Sequence, residues 1–211
     1  KNKKEPVTCI IGGSKISTKI NVILSLIEKI NNLVIVGAMA NNFFVYKNLN
    51  VGKSLIEKNT SEIIKKIYEK ANKFKCEIII PEDCMVGTSF EGEGESRILG
   101  QIKENEIILD IGTITINKIK KIIDQSNTLL WNGPAGYFEN KNFLNGTITI
   151  AETISQNTKE KNLVSILGGG DTLAAINKSK NKLSFSHLST AGGAFLEYLE
   201  GKDLPGLSVL K

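Results

Sequence analysis

Residues 163–172, LVSILGGGDT, combine the pieces needed to hold a phosphate. A short apolar run ends in Gly168, Gly169 and Gly170, and Asp171 and Thr172 open a segment that can be helical. A buried parallel strand, a turn without side chains and a helix N-terminus arrive in that order. The unpaired N–H groups of a first helical turn attract an anion, whereas Asp171 can approach one only through a cation such as Mg2+ or by capping the helix. Lys15 and Lys19 follow Gly12-Gly13-Ser14 and stand four apart, which places both on one face near the start of a predicted helix. Cations there oppose the helix dipole, which points to a bound anion; two solvated lysines are the plain alternative. Backbone donors are also expected around Gly192 and Gly193, in a second small-residue turn at 189–194.

Other chemistries are poorly served. His187 is the only histidine and falls in an apolar strand candidate, so a histidine triad or a zinc site has no basis. Gly168 and Gly170 are followed by Leu173 where a dinucleotide fingerprint needs its third glycine, and Gly52-Lys53-Ser54 lacks the earlier glycine of a P-loop, Lys47 standing there. Glu82, Asp83 and Cys84 read as loop polarity with a helix cap. The set that remains points to a phosphoryl ligand, a nucleotide ahead of a phosphosugar.

The elements that must position these residues follow from periodicity. Strands are predicted at 7–11, 33–36, 77–80, 107–109, 128–131, 163–167 and 183–188, each apolar and most ending in glycine or proline. Helices are predicted between them, among them 14–29, 60–73, 115–124 with Thr115 as its cap, and 143–156; the stretch from after Cys84 to about Lys103, which holds Glu91-Gly92-Glu93-Gly94-Glu95, reads as a surface loop or short hairpin. Met39, Phe43 and Phe44 read as core. Strand then helix recurs about six times, which predicts one α/β domain: a parallel, Rossmann-like sheet of about six strands with helices on both faces, and ligands beyond the carboxyl ends of the strands.

Composition agrees with that class. The 211 residues are 41% hydrophobic and 23% charged, and 27 Lys+Arg against 22 Asp+Glu give a formal charge of +5. Lysines alternate with glutamates as on a solvated helix face, so no nucleic-acid partner is expected. No apolar run approaches membrane-spanning length, and Cys9, Cys76 and Cys84 have neither metal-ligand nor disulfide spacing. A cytoplasmic, monomeric protein with reduced, buried thiols is the expectation. The opening KNKKEP leads almost directly into a strand, as after a cut or linker.

The ordered series Gly12-Gly13-Ser14-Lys15-Ile16-Ser17-Thr18-Lys19-Ile20, the stretch 37–44, Val51-Gly52-Lys53-Ser54, Leu109-Asp110-Ile111-Gly112, Trp131-Asn132-Gly133-Pro134, Gly169-Gly170-Asp171-Thr172 and Ser189-Thr190-Ala191-Gly192-Gly193 resembles the C-terminal, nucleotide-binding half of phosphoglycerate kinases, over essentially the whole chain. The resemblance implies reversible phosphoryl transfer between 1,3-bisphosphoglycerate and MgADP, giving 3-phosphoglycerate and MgATP. It implies that residues 1–211 are one domain of a two-domain kinase, without the N-terminal domain that holds the phosphoglycerate, and that this half alone is inactive. It further implies that Gly13 and Ser14 adjoin the nucleotide, Lys19 binds its phosphates and Lys15 stabilises the phosphoryl group in flight. Asp171 would hold Mg2+, while Gly169, Gly170 and Thr172 would take terminal phosphates. Asn132, Pro134 and Gly136 would shape the phosphate and ribose side, and Glu139 would accept ribose hydroxyls. Gly37, Ala38, Leu109 and Tyr137 would border the adenine, and Gly192 and Gly193 would point amides at the transferring group. Departures from the family pattern fall at Val36, Ala38, Thr113 and Ala191, and the apolar tail from Leu204 would pack toward the absent half. A binding module that holds a phosphorylated metabolite without catalysis is the alternative.

Overall fold

The computed structural model describes residues 4–204. In chain order it comprises β1 (Val7–Ile11), α1 (Ile20–Ile27), β2 (Asn32–Ile35), α2 (Ala40–Tyr46), α3 (Ser61–Phe74), β3 (Glu77–Ile79), β4 (Asp83–Gly87), β5 (Glu95–Ile98) and β6 (Ile107–Ile111). Then come α4 (Thr113–Gln125), β7 (Thr128–Asn132), a 3-10 turn at Lys141–Phe143, α5 (Asn145–Glu160), β8 (Val164–Gly168), α6 (Gly170–Ile176), β9 (His187–Ser189) and α7 (Gly193–Leu199). Six strands form one sheet in the order β3-β2-β1-β7-β8-β9, and every pairing in it is parallel. The chain runs outward from β1 to β3, then returns to lay β7 on the other side of β1. That reversal is the topological switch point, where open α/β sheets leave a crevice.

Every residue of β1 and β7 is buried, as strands covered on both faces must be. The pleat sends alternate residues to two cores. Cys9, Ile11, Leu33 and Ile35 pack beneath α1, α2 and α3, with Met39, Phe43 and Phe44 in the same core. Ile10, Val34, Leu129 and Trp131 pack beneath α4 and α5. In α3, Ile64, Ile67 and Ala71 turn inward and leave the lysines and glutamates outside. All three cysteines are free and buried.

A second, three-stranded antiparallel sheet, β5-β4-β6, departs from the expected single sheet. The apolar run at 107–109 is indeed in a strand, but it pairs with β4, whose antiparallel hairpin with β5 occupies most of the stretch that sequence patterning reads as a surface loop or short hairpin. Short apolar runs carry no sign of their partner, and β4 begins at the buried Asp83, a residue depleted in strands. Asp83 is a helix cap delivered from that strand: its carboxylate accepts from the Ile114 N–H at 2.9 Å, the Thr115 N–H at 2.7 Å and the Thr115 hydroxyl at 2.6 Å. Thr115 is therefore not the cap. It lies inside α4, and Gly112 occupies the cap position because a side chain there would meet the Asp83 carboxyl carbon at 2.3 Å. Asp83→Ala is expected to cost about 2–3 kcal/mol in urea unfolding, since it strips a buried cap and leaves its donors unpaired. A loss below about 0.5 kcal/mol, the size of an ordinary surface substitution, would contradict this capping role.

Two further expectations need revision. The helix predicted from Ser14 begins only at Ile20, so Lys15 and Lys19 do not share a helix face. The Thr18 hydroxyl donates to the Lys15 carbonyl, and the Ser17 N–H is taken by the Glu57 carboxylate at 3.1 Å; such local and remote polar bonds compete with helix formation. The last strand shrinks to His187–Ser189. Before it, Ser184 and Ser186 donate their N–H groups to the hydroxyls of Ser155 and Ser165 instead of to a ladder. His187 itself is exposed. The tail expected beyond Leu204 lies outside the described residues.

Candidate functional site

The crevice at the switch point is closed by backbone packing. The Gly12 N–H donates to Asn132 O at 2.8 Å, which ties the ends of β1 and β7 together. Gly133, at φ +97, lies so close that a Cβ there would sit 2.4 Å from the Gly12 carbonyl carbon and oxygen. Gly37, at φ +68, brings the turn after β2 against the Gly13 nitrogen and the Pro134 oxygen. Glycine is required where these strand ends converge.

Lys19 reaches back over the end of β1. Its ammonium donates to Gly12 O at 2.6 Å and to Asn132 Oδ1 at 2.7 Å. An ammonium has three hydrogens, so one remains for a ligand oxygen. Asn132 is oriented in turn by donating Nδ2 to Gly168 O at 2.8 Å. The Thr172 hydroxyl donates to the same carbonyl at 2.9 Å and accepts the Gly133 N–H at 2.7 Å. That hydroxyl is spent inside the protein, which leaves only the Thr172 backbone N–H to serve a ligand. The amides of Gly170, Asp171 and Thr172 precede the first intrahelical bond of α6, from Leu173 N to Gly169 O, and are thus the orphan donors of a helix start.

Burial pushes the Lys19 amine down to about 8 from its usual 10.5, against the pull of nearby negative charge. Of that charge only Asp171 counts at neutral pH, because burial pushes the Cys9 thiol far up and keeps it protonated. The free site thus holds a partly desolvated cation, which an anion would relieve. Below about pH 8 the amine is charged in both folded and unfolded chains and the cost of its burial is present; between about 8 and 10.5 only the unfolded chain is protonated, so this group's contribution to stability rises with pH by up to about 3 kcal/mol. Anion binding runs the other way: affinity for a phosphorylated ligand is expected to fall as pH rises above about 8. Binding isotherms across that range check it, and a flat profile would remove the Lys19 ammonium from the site.

Beside this cluster lies a cavity of about 400 Å³. Gly13, Ser14, Gly37, Ala38, Leu109, Pro134, Gly136, Tyr137, Glu139 and Asp171, all expected from the sequence, line it. Gly13 joins it to the lysine, since a side chain at Gly13 would come within 3.2 Å of Lys19 Nζ. Asn132, Gly169, Gly170 and Thr172 form the adjoining polar cluster. Lys15 is exposed and outside the wall. Gly192 and Gly193 open α7, with no atom within 4 Å of where a side chain would stand.

Sequence reading missed several wall residues. Phe90 comes from the loop between β4 and β5 and meets Tyr137 edge-on, ring centres 5.0 Å apart. Asn41, Phe44 and Leu55 come from α2 and the segment after it; Phe44 carried a core signal, which is correct but incomplete. Asp110 is buried and pushed up to about 7 by desolvation, against backbone bonds from Gly146 and Ile111. Its placement within an apolar run was the available signal. Among the described residues no cluster of three or more His, Cys, Asp or Glu side chains could hold a metal, and no helix is long and apolar enough to cross a membrane.

A doubly wound parallel sheet whose switch point carries a partly desolvated lysine, orphan helix-start amides and an adjoining apolar cavity defines the class: an α/β protein with a crevice at the carboxyl ends of its strands. The chain belongs to the phosphoglycerate kinase family, whose profile, described as phosphoglycerate kinase, matches residues 1–202. It is 46% identical over 211 residues to the phosphoglycerate kinase of Bartonella tribocorum, covering 99% of this chain and 53% of the relative. It is 44% identical over 205 residues to that of Wolbachia pipientis from Culex pipiens, covering 96% and 52%. The structure of phosphoglycerate kinase from Coxiella burnetii superposes with a TM-score of 0.92 at 37% identity, over 100% of this chain and 54% of that one. The chain spans about half the length of the curated relatives it matches.

Proposed function

We propose that these residues form the nucleotide-binding half of a phosphoglycerate kinase, which takes MgADP or MgATP for phosphoryl transfer to and from the acyl phosphate of 1,3-bisphosphoglycerate, as a monomer in the cytoplasm. The observation that carries the reading is the Lys19 ammonium, fixed between Gly12 O and Asn132 Oδ1 at the mouth of the cavity, with one hydrogen unspent. In this reading Lys19 and the helix-start amides of Gly170 to Thr172 hold the nucleotide phosphates. Glu139 accepts the ribose hydroxyls, Pro134 and Gly136 shape the ribose wall, and the base lies among Gly37, Ala38, Leu109 and Tyr137.

Moving a phosphoryl group needs alignment and charge neutralisation more than a protein base. Lys15, exposed at the rim, is free to approach the group in transfer, and Gly192 and Gly193 would add amides from α7. Asp171, a single exposed carboxylate, fits a Mg2+ that arrives on the nucleotide phosphates instead of in an all-protein cage. Bound there, Mg2+ would neutralise phosphate charge. The 3-phosphoglycerate end would be held by the part of the family's length that this chain does not span.

Calorimetric titration of the chain with MgADP tests the reading, with a sugar phosphate and 3-phosphoglycerate in parallel. Nucleotide binding without 1,3-bisphosphoglycerate-dependent ATP synthesis is the expected result. A folded sample that ignores MgADP overturns the nucleotide site, preference for the sugar phosphate favours the non-catalytic binding module, and measurable ATP synthesis overturns the half-molecule.

A further inference from the structure

Residues 14–18 carry Lys15 and lead into Lys19, and they form neither strand nor helix. On the inner side the buried Ile16 side chain holds them, and just before them the Met39 N–H donates to Gly13 O at 2.8 Å. On the outer side, among the described residues, the hydrogen bonds that this segment donates beyond itself end on Glu57. Glu57 Oε2 accepts the N–H of Ser17, which stands two residues from each lysine. The Ser17 hydroxyl and N–H hold the Glu57 carboxyl below the usual carboxylate range, with lesser pulls from the Ile16 N–H and the Lys15 charge. Glu57 is itself fixed from behind. Its own N–H donates at 2.9 Å to Oδ1 of Asn42, a buried residue of α2, and the Thr60 hydroxyl lies 3.4 Å from both that oxygen and the Glu57 carbonyl.

A carboxylate beside a segment that presents two lysines to an anion has two opposite effects. Its charge repels the anion and lowers affinity. Its hydrogen bonds order the segment before the ligand arrives, which spares the ligand that ordering cost and raises affinity. Glu57 is half-buried and lies outside the cavity wall, so its charge reaches a ligand largely through water and is screened. Its bond to the Ser17 N–H is direct and charge-assisted. We infer that ordering outweighs repulsion and that Glu57 is a positioning residue of this site, acting through Ser17 to hold the segment that presents Lys15 and Lys19. The inference rests on the nucleotide reading above and adds to it a residue that touches no ligand. An acid placed where charge alone would make it a hindrance is explained by the bonds it accepts.

The test is equilibrium binding of MgADP and of adenosine to the wild-type chain, Glu57→Ala and Glu57→Gln, with hydrogen exchange of the Ser17 amide followed in the same samples. Adenosine brings no phosphate for the lysines. Glu57→Ala is expected to weaken MgADP about five- to tenfold, to leave adenosine within about twofold, and to speed Ser17 exchange about tenfold or more. Glu57→Gln keeps an acceptor and loses the charge, so it is expected to bind MgADP within about twofold of the wild type or more tightly. Tighter MgADP binding by both variants would make Glu57 a repelling charge only, and unchanged binding by Glu57→Ala would show the segment held without it. Equal losses of MgADP and adenosine would mean a general loosening of the fold. Each of these overturns the positioning role and leaves the nucleotide site standing. Failure of a folded wild type to bind MgADP would overturn the nucleotide reading, and the inference with it. Glu57→Ser, also too short to reach Ser17, replaces Glu57→Ala if that variant does not fold, and a Ser17 amide that exchanges freely in the wild type overturns the inference outright.

Discussion

Lys19→Met is expected to weaken MgADP binding roughly 10- to 100-fold while moving the stability of the free protein by no more than about 3 kcal/mol. Two opposing effects set the stability. The lysine lowered from 10.5 to about 8 represents a burial cost of about 3 kcal/mol at neutral pH, which methionine removes. Methionine also strands two acceptors, Gly12 O and Asn132 Oδ1, at about 1–3 kcal/mol for each buried unsatisfied group. The gain offsets most of this loss. Binding has no such offset, because a charge-assisted bond to phosphate is worth about 1.5–3 kcal/mol and a thioether cannot replace it. Parallel calorimetry and urea unfolding check the pair of outcomes. Undiminished affinity would exclude Lys19 from the site, and a collapse in stability would make it a structural lysine.

Gly133→Ala is expected to destabilise the protein by about 3–5 kcal/mol, a large part of the 5–15 kcal/mol that a domain of this kind has. Two costs add. The residue sits at φ +97, where an L side chain is strained by about 1–2 kcal/mol, and its new Cβ would lie 2.4 Å from Gly12 backbone atoms that cannot rotate away. Gly100 supplies the control. Its φ is +93, yet nothing stands within 4 Å of a Cβ there, so Gly100→Ala should cost only the strain of about 1–2 kcal/mol. Urea unfolding of the two variants separates backbone strain from the β1–β7 clash. Equal losses would mean that the strand ends are not in contact as described.

The parallel sheet was legible because its strands are covered on both faces: VTCII and TLLWN are buried throughout and mostly apolar, and each is followed by a glycine that the crossing strand end demands. Much of the cavity wall was legible for the same reason, since small residues at strand ends mark close approach. What escaped the sequence depends on contacts between distant residues. Nothing near Asp83 announces that its partners are at 114 and 115, and nothing near Asn41 announces the Leu55 carbonyl. Lys15 and Lys19 look equivalent in sequence, but the turn before α1 half-buries Lys19 and leaves Lys15 exposed. Thr172 sits in the motif where a phosphate ligand is expected, yet its hydroxyl serves Gly168 and Gly133. Spacing identifies the residue type that suits a role, and packing decides which atom of it remains available.

The seam between β1 and β7 also governs when the site comes into being. Its register sets Val7 opposite Thr128 and Ile11 opposite Asn132, so about 120 residues must be looped out before the two halves of the crevice meet. Pairings of such long sequence separation form slowly, and on the ribosome β7 emerges only after β1, β2 and β3 are all available to pair. Lys19 therefore acquires Asn132, its orienting partner, at a late stage of folding. A nascent chain with β1 to β3 already assembled has a sheet edge open at β1 and no crevice. On the proposed nucleotide reading, retention of nascent chains on an immobilised nucleotide would mark the closing of that edge and serve as a clock for folding.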